Sequence, residues 1–188
     1  MRKTVSALLA QADATLEDNT TGAITAADVR ALIKDVIDTL APGFGAVGSP
    51  SVTLTALSAT PVAVPYSELL AVTADYVATL AAGTVKRVSG GMPTVNNRIL
   101  FFASVDTSSG AGVTFTLLRD GVVIPGGVTV VGRGAGIPVS ASFSNINATA
   151  SPGDPVFEVR AAKTTGGPVD VILTNVRFIL EVVPTLGF

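Results

Sequence analysis

The sequence predicts a mostly β protein: an antiparallel β-sandwich preceded by an N-terminal helical arm. Three observations lead to this prediction. Apolar and polar residues alternate in most runs after residue 51, which is typical of strands with one buried face. Breaks rich in Thr, Ser and Gly separate these runs, as in an all-β fold with Greek-key connections. A complete set of helix signals occurs only within residues 22–43.

The helical arm begins with a capping signal. Thr25 is a suitable N-cap, and Asp28 three residues later completes an Asp version of the capping box. Ile24 precedes the cap and is placed to contact Val29, while Pro42 and Gly43 end the helix. The apolar residues of this segment recur at helical spacing and predict an assembly interface, which comprises Ile24, Val29, Leu32, Ile33, Val36, Ile37 and Leu40.

This apolar face needs a partner, because an isolated helix of this length is marginal in water. Burying six such side chains would supply on the order of 10 kcal/mol. The helix either packs on its own β-domain, or it packs on copies of itself or on another protein. Residues 41–51 are rich in Gly and Pro and predict a flexible tether, which favours the second alternative.

The chain therefore divides into three predicted units. Residues 1–43 form the helical arm or assembly segment, residues 44–66 a linker and first strand, and residues 67–188 the β-domain.

Within the β-domain, the apolar run at 98–105 predicts a strand buried on both faces. Residues 113–119 alternate and lead into Asp120-Gly121, a strong two-residue hairpin signal. Residues 67–83 fit a helix or strands, and we choose a strand for 76–80. Alternation also predicts inward-facing residues in the remaining strands, which are Val113, Phe115, Leu117, Ile137, Val139, Ala141, Phe143, Phe157, Val159, Val176, Phe178, Leu180 and Val182.

Composition restricts the function. Hydrophobic residues make up 48% of the 188 residues and charged residues 14%, so much apolar surface is expected between chains. The net charge of −2 without a basic cluster argues against nucleic acid as a partner. A charge-free stretch at 39–67 contains four prolines, so we expect no transmembrane helix and no membrane partner.

Catalytic chemistry has little support in the sequence. Cys and His are both absent, which removes nucleophilic Cys–His and Ser–His–Asp sets and the commonest metal ligand. The glycine-rich segment 132–136 is followed by no helix that could bind a phosphate, so it predicts a loop. Asp154, Glu158 and Asp170 predict surface residues rather than a glycosidase pair. We expect no enzyme, no cofactor and no metal site.

Two resemblances add to this interpretation. Gly22, Ile24, Thr25, Asp28, Val29 and Arg30 match a "G-x-I-T-x-x-D-[LV]-R" helix start that resembles a segment of many tailed-bacteriophage virion proteins, placed before a fibre, spike or decoration domain. Residues 70–188, through segments 83–88, 113–126 and 151–162, resemble trimeric jelly-roll domains of the tumour-necrosis-factor type. Residues 90–98 depart from that pattern, since an aromatic residue often follows the glycine there.

The resemblances imply a non-enzymatic virion protein with a jelly-roll-like β-domain. It would decorate and stabilise a phage capsid as a cement protein or head fibre, with the major capsid protein and its own copies, in a homotrimer, as partners. Its location would be the capsid surface of the virion. The alternative is a tail-fibre or receptor-binding protein that contacts the host surface. The low aromatic content, with no Trp, favours decoration.

Overall fold

A computed structural model describes residues 10–12, 14, 25–40, 43–73, 76–88, 95–149, 154–165 and 167–183, and the structural statements below refer to these residues. Helix α1 covers Ala26–Leu40. The strands that follow it are β1 (Phe44–Leu57), β2 (Val62–Ala63), β3 (Glu68–Val72), β4 (Tyr76–Thr79), β5 (Thr84–Arg87), β6 (Val95–Asp106), β7 (Gly112–Arg119), β8 (Val122–Val131), β9 (Val139–Thr149), β10 (Val156–Lys163) and β11 (Val169–Val183).

The strands form two antiparallel sheets. The first has five strands in the order β3-β1-β11-β6-β9. The second has the order β4-β5-β10-β7-β8, and β2 pairs beside β5 on the same edge of β10. The non-sequential neighbours are long-range crossovers between the sheets, as in Greek-key sandwiches. The predicted antiparallel jelly-roll-like sandwich is therefore confirmed.

The core lies between the sheets and is built around phenylalanines. Phe101 of β6 meets Phe115 of β7 across the sandwich, with ring centroids 5.1 Å apart. Phe178 of β11 stacks on Tyr66, at 5.9 Å. All the predicted inward-facing residues of β7, β10 and β11 are buried, which confirms their alternation. Of the four predicted before and in β9, Ala141 is buried, Val139 and Phe143 are half-buried, and Ile137 lies exposed in the preceding loop.

Two local predictions are confirmed. Asp120 and Gly121, with φ angles of 52° and 78°, form the tight turn between β7 and β8. The Asp120 carboxylate accepts a hydrogen bond from Val156 N (2.8 Å), so the turn is also fixed to β10. Residues 76–79 form β4, and β3 precedes them, so the helical alternative for this segment is wrong.

Two other predictions are wrong. The flexible tether at 41–51 is contradicted from residue 44 onward, because β1 begins at Phe44 and pairs with β11 and β3. The strand at 98–105 is buried on one face only: Ile99, Phe101, Ala103 and Val105 are buried, whereas Phe102 is 43% exposed. The division of the chain at residues 43 and 66 stays a prediction.

The sandwich has two distinct ends. Strand β1 begins, and β11 finishes, at the end where α1 is attached, which we call the helix end. At the opposite, loop end lie the connections 107–111, 132–138 and 164–168. These connections are joined to one another: Gly110 N donates to Gly132 O (2.9 Å), and Thr165 Oγ1 accepts from Gly112 N (2.8 Å).

Candidate interaction surface

The outer face of the five-stranded sheet carries large apolar side chains. Along β6, even-numbered residues point away from the core, and on β11 the outward set includes Ile172 and Ile179. Phe102 and Ile172 are 43% and 42% exposed. We call this surface the outer apolar face and define it by Leu100, Phe102, Ile146, Ile172 and Ile179. Ala46 of β1, which lies opposite Ile179, is only 3% exposed.

Cross-strand register makes this face continuous. Ala46, Ile179, Leu100 and Ser144 lie opposite one another on β1, β11, β6 and β9. On β9, Ser142 and Ser144 lie beside the larger side chains of β6, while Ile146 is 66% exposed. An exposed apolar surface of this kind, on a sheet with no covering layer among the described residues, is typical of a surface that another protein covers.

Four charged side chains border the outer apolar face on β6 and β11: Arg177 lies opposite Phe102, Asp106 lies opposite Ile172, and the other two pair with each other. Arg98 Nη1 lies 3.5 Å from Glu181 Oε2, directly across β6 and β11. Because this ion pair is partly exposed, it contributes little to the stability of the folded state. It does reduce the cost of covering the face, because a paired charge is less costly to desolvate than an isolated one.

Gly48 of β1 lets two side chains lie flat on this face. A Cβ atom on Gly48 would lie 2.9 Å from Arg177 Nη1 and 3.0 Å from Leu70 Cδ1, and only 2.7 Å from the Val176 carbonyl oxygen. Glycine is therefore required here for close packing rather than for a special φ angle.

The predicted helical interface is only partly described. Val29 and Ile33 are exposed, at 40% and 52%, while Leu32 and Val36 are half-buried. Ile37 and Leu40 belong to α1, but their side chains are not among those described, and Ile24 lies outside the described residues. The described residues of α1 make no extensive contact with either sheet. Which partner covers this apolar face stays a prediction.

Thr25 and Asp28 cap the start of α1 by hydrogen bonds in both directions. Asp28 Oδ2 accepts hydrogen bonds from Thr25 N (2.9 Å) and Thr25 Oγ1 (2.7 Å), and Asp28 N donates to Thr25 Oγ1 (3.3 Å). The side-chain bond first, and then the backbone bond, lower the pKa of Asp28 below its ordinary value. The cap therefore contributes above the ordinary carboxyl pKa and is lost as pH falls through the lowered value.

The carboxylates considered for glycoside cleavage lie apart from one another. The described residues hold no group of three or more potential metal ligands, and no helix among them is long and apolar enough to span a membrane. Asp154 pairs with Lys86 (3.3 Å) near the helix end, whereas Asp170 accepts from Ala56 N (2.8 Å) near the loop end. Glu158 lies between them on β10 and pairs with Arg160 (2.8 Å). These carboxylates therefore hold local structure at separate places.

The glycine-rich segment 132–136 forms a loop between β8 and β9, as predicted. Gly136 N donates to both carboxylate oxygens of Asp106, each at 2.9 Å. The backbone amide of Gly136 therefore already donates to a carboxylate of the same chain and is not free to bind a phosphate.

Sequence reasoning missed the outer apolar face. Its signal was present in residues 98–105, where apolar residues occupy both parities of the strand. That pattern predicts a strand between two covering layers, but β6 lies in an antiparallel sheet with one covered face.

Comparison with known proteins establishes the fold. No protein-family model and no curated protein matches the sequence. Among solved structures, the globular domain of zebrafish complement 1qA protein is similar with a TM-score of 0.50 and 12% identity, covering 77% of this chain and 98% of that one. The Eiger TNF structure from S. frugiperda covers 78% of this chain and 96% of that one, at 12% identity and a TM-score of 0.47. The β-domain is therefore a jelly roll similar to that of the complement 1qA domain.

Proposed function

We propose that the protein is a non-enzymatic structural subunit that forms a homotrimer through the outer apolar face and decorates the surface of a phage capsid. The observation that carries self-association is the exposure of Phe102, Ile172 and their neighbours on a continuous sheet face. The resemblance of residues 70–188 to trimeric jelly-roll domains supports three copies. The resemblance of the α1 start to virion proteins supports the capsid surface, with the major capsid protein as partner.

Apolar burial would drive this association. Each half-exposed large side chain that becomes covered contributes about 1 kcal/mol. Closed rotational symmetry lets each copy present the same surface, so no apolar edge is left open. As a decoration protein, each trimer would bridge capsid subunits and raise the free energy needed to disrupt the shell, because a ligand that binds the intact state stabilises it.

The self-association step is tested by Phe102→Asp. A carboxylate at the centre of the face is costly to bury, so we expect monomers where the unchanged protein gives trimers in light scattering at micromolar concentration. Val77→Asp is the matched control, because Val77 is 52% exposed on a strand of the other sheet. Both variants should keep the β-type circular dichroism spectrum. An unchanged trimer in Phe102→Asp would contradict the assignment of the interface.

The capsid step is tested on particles that lack this protein. We expect them to release their genome at a lower temperature than complete particles, to regain resistance when the protein is added back, and to adsorb to the host at a normal rate. The regained resistance should persist at high salt, because apolar contacts are weakly screened. Unchanged thermal release together with lost adsorption would instead support the tail-fibre or receptor-binding alternative.

A further inference from the structure

Two charged side chains of opposite sign lie on the five-stranded sheet without an ion pair. Arg177 of β11 is exposed and lies opposite Phe102, within the outer apolar face. Glu68 of β3 is exposed at the edge of the same sheet. Neither side chain forms a salt bridge with any of the described residues. Both charges therefore remain available to a partner.

The other charged side chains of this sheet already have partners within the chain. Arg98 and Glu181 form the ion pair described above, and the carboxylates of Asp106 and Asp170 accept hydrogen bonds from backbone N–H groups. In the described part of the sheet, a covering surface would therefore leave two charges unsatisfied, one basic and one acidic. A buried charge is costly unless it is paired, so a stable partner has to satisfy both.

Arg177 and Glu68 belong to one cross-strand row, because both lie opposite Gly48, on either side of β1. A Cβ atom on Gly48 would lie 2.9 Å from Arg177 Nη1, so the guanidinium extends from β11 over β1. Leu70 Cδ1 lies 3.0 Å from the same position. An apolar side chain of β3, and not the Glu68 carboxylate, is thus what lies beside the guanidinium in the single chain.

Rotational symmetry restricts which residues can meet between copies. The face to be covered extends from Ile146, opposite Arg98, to Ile172, opposite Asp106, which is about 27 Å along β6. Identical copies cover this whole length when the rotation axis runs along the strands. Rotation does not change height along the axis, so a residue of one copy then meets residues of the same row in the next copy.

A three-fold interface also joins two different patches, since each copy contacts one neighbour on one side and the other neighbour on the other side. The strand order places Arg177 on the central strand β11 and Glu68 on the edge strand β3. Contact between the central strand of one copy and the edge of the next brings unlike charges together. Contact between identical rows at the same residue would bring like charges together, which is unfavourable.

We propose that Arg177 of each copy forms an ion pair with Glu68 of the next copy, so that three such pairs link the trimer. This inference rests on the proposed self-association and names the polar contact that accompanies apolar burial. The pair contributes chiefly to specificity. The correct neighbour satisfies both charges, whereas a shifted register or an unrelated apolar surface leaves Arg177 unpaired.

Charge reversal tests whether the two residues act as a pair. We expect Arg177→Glu and Glu68→Arg each to raise the concentration at which half of the trimers dissociate by at least about tenfold, and the double variant Arg177→Glu/Glu68→Arg to recover most of that loss. Arg133→Glu, in the exposed loop between β8 and β9, is the control for altered net charge and should leave association unchanged. A double variant that associates no better than the single variants would overturn the pairing.

Cysteine cross-linking tests whether the pair joins different copies, because the chain contains no Cys of its own. Within one chain the Cα atoms of residues 68 and 177 are two strand spacings apart, about 10 Å, which exceeds the roughly 7 Å that a disulfide permits. We therefore expect mild oxidation of Glu68→Cys/Arg177→Cys to give covalent trimers on a non-reducing gel. Glu68→Cys/Thr129→Cys is the control, since Thr129 is exposed on β8 of the other sheet, and it should give none.

A mixture of the two single variants replaces the double variant if the latter loses its β-type circular dichroism spectrum, and it should give dimers of unlike chains. Cross-linking of Arg177→Cys alone would show that copies meet at Arg177 itself and would overturn the proposal. Covalent dimers that never proceed to trimers would show a two-fold contact and also overturn it. Trimers without any cross-link would overturn the pairing while leaving self-association intact. Monomers in the unchanged chain would instead overturn the proposed function.

Discussion

At the residue scale, two buried tyrosines differ in what their hydroxyl groups meet. Tyr66 is 4% exposed, and its hydroxyl has no hydrogen-bond partner among the described residues. Tyr76 is equally buried, but its hydroxyl donates to Asn97 Oδ1 (3.3 Å). A buried hydroxyl without a partner costs about 1–3 kcal/mol, whereas a satisfied one contributes about 1 kcal/mol.

The same substitution should therefore have opposite effects at these two sites. We expect Tyr66→Phe to raise the free energy of unfolding by about 1 kcal/mol and Tyr76→Phe to lower it by about the same amount, measured by urea denaturation at neutral pH. Each variant is the control for the other, since both keep the ring and remove one oxygen. A loss of stability in Tyr66→Phe would show that its hydroxyl has a favourable contact.

Tyr66 also makes a prediction for alkaline pH. Burial first, and then the negative charge of Glu158, raise the pKa of Tyr66 well above its ordinary value. A raised pKa in the folded state means that stability is complete below the ordinary tyrosine pKa of about 10 and is lost as pH rises above it. We expect Tyr66→Phe to lose less stability than the unchanged chain between pH 9 and 11, by the same urea assay.

At the element scale, the inward faces of β7, β10 and β11 could be predicted because an antiparallel strand with one covered face has period-two alternation. Strand β1 could not be predicted from the sequence. Its glycines suggested a tether, but Gly45 is required by close packing, since a Cβ there would lie 2.9 Å from Tyr76 Cγ. Composition does not distinguish glycine used for close approach from glycine used for flexibility. The outward residues of β6 could not be predicted for a related reason: apolar residues of both parities suggest two covered faces, whereas β6 has one.

Helix α1 should matter for assembly more than for the stability of the sandwich. Ile33 is half-exposed and α1 makes no extensive contact with the sheets, so Ile33→Asp should change the free energy of unfolding of the β-domain by less than about 0.5 kcal/mol. It should weaken association, because it places a charge on the predicted helical interface. Ala31→Asp, on the opposite side of α1, is the matched control. Loss of the whole β-type circular dichroism signal in Ile33→Asp would mean that α1 belongs to the core.

At the scale of the whole molecule, the outer apolar face and the exposed apolar residues of α1 both follow from the same excess of apolar residues. A chain with 48% hydrophobic and 14% charged residues fills the core between its sheets and still leaves Phe102, Ile172 and Ile33 in water. The jelly roll could be predicted from alternation and turns within one chain. The interaction surface required the three-dimensional arrangement, because its residues come from separate strands that the sheet order brings side by side.

Coupling between folding and assembly should make the melting temperature depend on concentration. If only folded copies associate, mass action stabilises the folded state as concentration rises. Between about 1 and 100 µM, we expect the melting temperature of the unchanged chain to rise by about 5 °C. Val77→Asp should show the same rise, whereas Phe102→Asp should melt at one temperature throughout. The rise should persist in 1 M salt, since screening weakens exposed charge pairs far more than apolar contacts. A melting temperature independent of concentration in the unchanged chain would mean that the exposed apolar face is not covered by other copies, and the trimer would have to be abandoned.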